Sequence, residues 1–289
     1  MPTVAILLAL SAAAAWAIGM TSAKPGVRYM DVLTYTLARW GLVSVLAFGY
    51  GALTGHLSFP GWTAVGWAAL AGVVDSAFGG VFYLLAMERT SAYQTTTLSS
   101  TAPLWGVFSA VLLLGEPLRW QTIVAATLVI AGAALLARRR PASHQRANLG
   151  ALYALITGVL WGIAETVPAK LALNSGMAPE TLLLVFALSG AIGMLALLPV
   201  LRPRIPRRVE SRGIFFVVLS SIAGAFLGWL LWLHALSLAP ASLLSPIRGS
   251  TLLFAFLYSL VLLRERPSRS ALAGIGLVFL GVLAVSLAG

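Results

Sequence analysis

The sequence predicts an all-α integral membrane protein whose ten transmembrane helices form two inverted five-helix repeats. Three observations predict this: long apolar runs, a self-match in the chain, and one-sided placement of basic residues. Of 289 residues, 60% are hydrophobic and 9% charged, with a mean hydropathy of +0.94. A soluble chain carries roughly a quarter charged residues.

Ten apolar runs cover 2–21, 32–53, 62–85, 92–114, 120–137, 149–171, 180–201, 212–236, 240–263 and 269–287. Each matches the roughly 20 residues that a helix needs to cross a hydrocarbon core. In lipid the backbone must satisfy its own hydrogen bonds, so such runs are helices. Residues 2–21 lack the positive start of a secretory signal and are read as a retained first span.

Shifting the chain by 149 positions places Gly79 on Gly228, Ala86 on Ala235, Glu116 on Glu265 and Gly132 on Gly281. Leu128-Val129 falls on Leu277-Val278 in the same register. Apolar matches are cheap in this composition, so the glutamate and glycine matches carry the weight. They divide the chain into repeats at 1–140 and 147–289, joined by the polar stretch Arg138–Asn148. An odd number of spans per repeat turns the second copy upside down, the usual build of secondary transporters with midplane sites.

Fifteen lysines and arginines lie in alternate connections, among them Lys24, Arg28, Arg89, Arg138–Arg140, Arg202, Arg207, Arg208 and Arg264. The opposite connections hold Arg119 and Lys170. This asymmetry makes the basic side cytoplasmic and both termini external. It also assigns the +11 net charge to lipid headgroups rather than to nucleic acid. Arg39 reads as an anchor at the cytoplasmic end of the second span. Tyr29, Tyr35, Trp40, Trp62, Trp67 and Trp120 read as interfacial aromatics.

Three charges interrupt the apolar runs: Asp75 in the third, Glu165 in the sixth and Arg248 in the ninth. Each costs about 2.5–3.5 kcal/mol at a helix centre, so each should face the interior. They either hold the bundle together as ion pairs or line a substrate path. Their surroundings favour the path. Ser245-Pro246-Ile247-Arg248-Gly249 sets a helix breaker beside the arginine, and its echo around Ser99 is rich in hydroxyls. Helical spacing puts Thr96, Ser99, Ser100 and Pro103 on one face, and Asp75, Gly79 and Tyr83 on another. Trp16 and Trp161 lie deep in the first and sixth spans, Trp161 one turn before Glu165; Trp232 echoes Tyr83. The candidate substrate-binding or coupling residues are therefore Asp75, Glu165, Arg248, Trp16, Trp161, Tyr83, Ser99, Ser245 and Trp232. His234 reads as a core or interfacial histidine, and Glu116 and Glu265 as hairpin caps.

The buried tryptophans, the segment Ala86-Met-Glu-Arg-Thr-Ser-Ala92, Pro103 and Gly115-Glu116 resemble the EamA-type repeat of the drug/metabolite transporter superfamily. The resemblance implies ten spans around a central cavity and alternating-access transport without ATP. Its members move amino acids, purines, sugars, nucleotide sugars and cationic drugs. Many relatives are described with cytoplasmic termini, whereas the charge asymmetry here places them outside.

The expected function is secondary transport, with export of small organic metabolites such as amino acids, in a bacterial inner membrane. A carrier of cationic drugs, nucleobases or sugars is the alternative within the superfamily, and a structural subunit the alternative outside it. The chain has no cysteine, HExxH, GxSxG or GxxxxGK[ST], so neither an intramembrane enzyme nor an ATP-driven pump is expected. No cofactor or metal is expected. The expected partners are a small-molecule solute, protons and membrane lipids, with the chain a monomer or homodimer.

Overall fold

The computed structural model describes residues 2–89, 95, 98–136, 147–202, 207–263 and 269–286. Among them every regular element is helical, apart from an isolated bridge between Met30 and Val209. The helices are α1 (Pro2–Tyr29), α2 (Val32–Thr54), α3 (Trp62–Gly72), α4 (Gly80–Arg89), α5 (Ala102–Leu114), α6 (Trp120–Leu136), α7 (Ala147–Ala164) and α8 (Val167–Asn174). They continue as α9 (Pro179–Leu201), α10 (Ser211–Leu219), α11 (Leu227–Leu238), α12 (Ala241–Arg248), α13 (Thr251–Leu263) and α14 (Arg269–Ser286). The linker residues Arg138–Arg146, the charged turn holding Glu265, and Thr96 lie outside the described residues.

Among the described residues, six helical stretches are long and apolar enough to cross a membrane: Thr3–Tyr29, Val32–Thr54, Trp62–Tyr83, Leu149–Asn174, Pro179–Leu201 and Ser211–Leu238. Their outward side chains, such as Val45, Phe48, Leu53, Ile192 and Phe215, are exposed apolar groups. This surface suits hydrocarbon rather than water.

Several runs expected as unbroken helices are interrupted. Between α3 and α4 the chain takes a π-helical turn, Val73–Gly79, and between α10 and α11 another, Ser220–Phe226. The wider turn shows as the i→i+5 bonds from Gly80 N–H to the Asp75 carbonyl and from Leu227 N–H to the Ile222 carbonyl. The sixth run breaks at Glu165-Thr166, just before Pro168, which has no N–H to continue the ladder. The ninth breaks at Gly249-Ser250 and the fourth at Ser100-Thr101. The first helix runs on past residue 21 to Tyr29, with Pro25 in its last turns.

The matched glycines sit where elements touch. α6 packs along α14, and a Cβ on Gly132 would lie 2.6 Å from the Gly274 carbonyl oxygen. One on Gly281 would lie 2.7 Å from Val129 Cγ2. Val129 and Val278 fill the same seam and are fully buried.

Polar clips tie distant connections together at both ends. At one end Asp31 caps α2, its carboxylate accepting the Thr34 N–H at 3.0 Å and the Arg208 N–H at 3.1 Å. Arg202 Nη1 meets the same carboxylate at 2.8 Å. Burial pushes the Asp31 carboxyl up, but these bonds, the Thr34 hydroxyl and Arg202 outweigh it and hold it below its ordinary range. At the other end Glu116 accepts the Ala241 and Ser242 N–H groups at 2.9 and 2.7 Å, capping α12. Glu116 is thus a cap, but of a helix far away in sequence. Lys170 donates to the Leu236 carbonyl and, at 2.9 Å, to the Ala239 carbonyl. His234 approaches Glu180 at 3.5 Å, and His56 approaches the same carboxylate oxygen at 3.7 Å.

Two of the expected interfacial aromatics are interior. Tyr35 is buried over Gly26, its hydroxyl reaching Ser220 Oγ at 2.6 Å and the Phe216 carbonyl at 3.0 Å. Trp40 is buried against Phe186, with ring centroids 5.4 Å apart. Both lie on the α2 face that packs inward, and nearness to a helix end in sequence does not reveal that face. Trp62 and Trp120 are exposed, as an interfacial position requires.

Candidate functional site

The three charges that interrupt the apolar runs converge, and each stands where its helix is interrupted. Asp75 lies in the first π-helical turn, Glu165 at the gap between α7 and α8, and Arg248 at the last residue of α12. A helix interruption frees backbone groups, and those groups must find partners away from lipid.

Indole N–H groups reach two backbone carbonyls at these breaks. Trp161 Nε1 donates to the Asp75 carbonyl at 3.1 Å, and Trp232 Nε1 donates to the Glu165 carbonyl at 3.0 Å. The Trp161 ring fits only because residue 79 is glycine: a Cβ there would lie 2.7 Å from Cδ1 and Nε1. The ring also lies 5.2 Å from that of Tyr83. Trp161 therefore meets Asp75, Gly79 and Tyr83 together, the three residues that helical spacing groups on one face. Gly228 makes the matching space for Trp16, where a Cβ would come within 2.5 Å of Cδ1.

Between these tryptophans lies the ion pair. Arg248 Nη2 donates to Glu165 Oε1, and Nε lies against Oε2 without a hydrogen bond of its own. Such a charge-assisted bond is stronger than a neutral one. Arg248 Cζ lies 5.7 Å from the Trp16 ring centroid and 5.8 Å from that of Trp161. Trp16 in turn lies 5.6 Å from Trp232 and 5.7 Å from Trp229. A cation held between indole faces gains up to about 2 kcal/mol when desolvated. Both members of the pair are largely buried.

Asp75 completes the cluster. Its carboxyl group accepts from Ser76 Oγ at 3.3 Å and lies in the field of Glu165 and Arg248. The site thus holds a guanidinium and two acids.

Ser245 is buried one turn before Arg248, but its hydroxyl points at Gly106, 1.9 Å from where a Cβ there would sit. It packs two helices together, and its oxygen has no hydrogen-bond partner. Ser99 is buried with its backbone beside Gly158.

Sequence reasoning missed Arg39. It stands seven residues inside α2, roughly 10 Å along the axis at 1.5 Å per residue. Instead of reaching out to headgroups, its guanidinium lies over the Trp40 ring at 5.4 Å, with Asp75 and Tyr35 as electrostatic neighbours. The helical rise is the signal that places it too deep for a simple anchor.

Membrane-length helices around a desolvated charge cluster define a multi-pass membrane protein with a polar site in its interior. The chain belongs to the EamA-like transporter family, whose model matches residues 3–138 and again 148–287. Over 205 residues it is 24% identical to an uncharacterized transporter of Helicobacter pylori (strain ATCC 700392 / 26695), covering 70% of this chain and 67% of that protein. A protein of known crystal structure, 17% identical, superposes with a TM-score of 0.82 over 98% of this chain and 96% of its own. That likeness is one of fold.

Proposed function

We propose that this transporter is a secondary carrier that exports small organic metabolites such as amino acids. It works by alternating access around a midplane site between two inverted five-helix repeats, 1–140 and 147–289. The repeat reading is supported by the double family match and by π-helical turns at similar places in the two halves.

The observation that carries the substrate reading is the Arg248–Glu165 pair. A guanidinium that already holds a carboxylate is suited to exchange it for another of the same shape. A substrate carboxylate takes over Arg248, and the released Glu165 joins Asp75 in meeting a substrate ammonium or in holding a proton. Trp161 and Tyr83, with the edge of Trp16, offer aromatic surface to an apolar side chain, while the fully buried Trp232 backs Trp16. This reading requires no covalent chemistry. In this reading the Asp31 end of the bundle is cytoplasmic, on the basic-residue asymmetry, and the membrane is a bacterial inner membrane.

Flux into proteoliposomes tests this directly. Saturable uptake of labelled L-amino acids, accelerated by unlabelled amino acid on the far side and altered by an imposed pH gradient, is the expected result. Flux of cationic dyes without any amino-acid flux would replace the amino-acid reading with the drug-carrier one.

A further inference from the structure

We propose that Arg39 is a second anion-binding residue on the substrate path, receiving the carboxylate of an organic acid or amino acid on the Asp31 side of Arg248. The proposal rests on the transport reading above and adds to it a residue that sequence reasoning had assigned to anchoring.

The basic residues of this protein divide by what they hold. Arg202 is paired with Asp31, Arg208 with Glu210, and Arg248 with Glu165. Lys170 is spent on two backbone carbonyls. Among the described residues Arg39 makes no ion pair, and its buried Nε makes no hydrogen bond. Its guanidinium is held by the Trp40 ring, itself wedged against Phe186, and by the field of Asp75.

An arginine near a helix end ordinarily extends its long stem and places its charge among headgroups. Arg39 is roughly 10 Å inside α2, and its side chain turns inward. A cation drawn partly out of water without a paired anion is costly. A half-buried guanidinium with a planar indole under it and unused N–H donors is the arrangement a ligand carboxylate satisfies: the donors gain an acceptor and the charge a partner. Asp75 connects the two arginines electrostatically, since both Arg39 and Arg248 act on it.

The test combines chemical labelling with two variants of the full chain. Purified protein is treated with phenylglyoxal, which modifies arginine, and Arg39 modification is read by peptide mass spectrometry, with propionate or propionamide present. The proposal expects Arg39 to react, propionate to protect it and propionamide not to. Arg39→Gln, which removes the unpaired cation, should stay monodisperse with a melting temperature no lower than the parent; Arg39→Lys, which keeps the charge but loses the fork, should also stay monodisperse. Each should raise the KM of any carboxylate substrate at least about tenfold, the loss of one charge-assisted contact. An Arg39 that reacts equally with and without propionate, or does not react at all, overturns the proposal. So do variants that unfold, or that keep the parental KM. If the proteoliposomes move no amino acid, the amino-acid reading fails, while protection by propionate still decides the role of Arg39.

Discussion

Arg248 and Glu165, 83 positions apart in the chain, form an ion pair between the rings of Trp16 and Trp161. Each of the two charges stands at a break in its own helix. The pair therefore joins two interrupted points of the bundle, and any ligand that separates it changes how those points are held.

Neutralising one partner leaves the other charge buried alone, which costs about 3–5 kcal/mol. Glu165→Gln should lower the melting temperature of the purified protein by several degrees. Adding Arg248→Met to it should recover much of the loss. Flux through Glu165→Gln, and separately through Asp75→Asn, should lose its response to a pH gradient. Full pH-gradient sensitivity in both variants would exclude these acids as the coupling site.

Asp31 sets a pH limit outside the membrane core. Its carboxyl is held below the ordinary value of 3.8 by hydrogen bonds and Arg202, against the opposing effect of burial. A lowered folded value means the stabilisation is fully present above 3.8 and is lost as pH falls through the lower folded value. Asp31→Ala should melt earlier than the parent at pH 7, by the roughly 1 kcal/mol of a lost helix cap or more. The gap should narrow on acidification below the ordinary value. A gap that stays constant with pH would show that the Asp31 charge contributes nothing.

Gly79→Ala should be among the most disruptive single-methyl changes. The added carbon would press on the Trp161 ring at 2.7 Å, and overpacking of this kind costs about 1–3 kcal/mol. Trp161 would lose its bond to the Asp75 carbonyl and its seat beside Arg248. Expected is a lower melting temperature together with a raised KM. Gly66→Ala, where no atom lies within 4 Å of the new carbon, serves as the control and should leave both unchanged.

The parts of this site that were legible in the sequence are those where chemistry contradicts its surroundings. Asp75, Glu165 and Arg248 stand out because charge in a long apolar run is costly, and Trp16 and Trp161 because they sit far from any interface. Position along a helix was less informative than it looked: Tyr35 and Trp40 lie near a span end yet face inward, and Arg39 is too deep to anchor. No local residue pattern announces the π-helical turn at Asp75. The break after Glu165 did have a signal, Pro168, three residues on. Glu116 was legible as a cap, but its target, α12, is set by packing between distant parts of the chain.

The most direct measurement of the central claim is substrate binding by Arg248→Lys on monodisperse purified protein. Lysine keeps the charge but not the planar fork, so it still balances Glu165 while losing two-armed recognition of a carboxylate. Calorimetric titration with whichever L-amino acid shows flux through the parent should give affinity weaker by about tenfold or more, with the variant still folded and its melting temperature close to the parent's. Parental affinity in a folded Arg248→Lys protein would contradict the account. It would reduce the Arg248–Glu165 pair to a strut that holds the helices together.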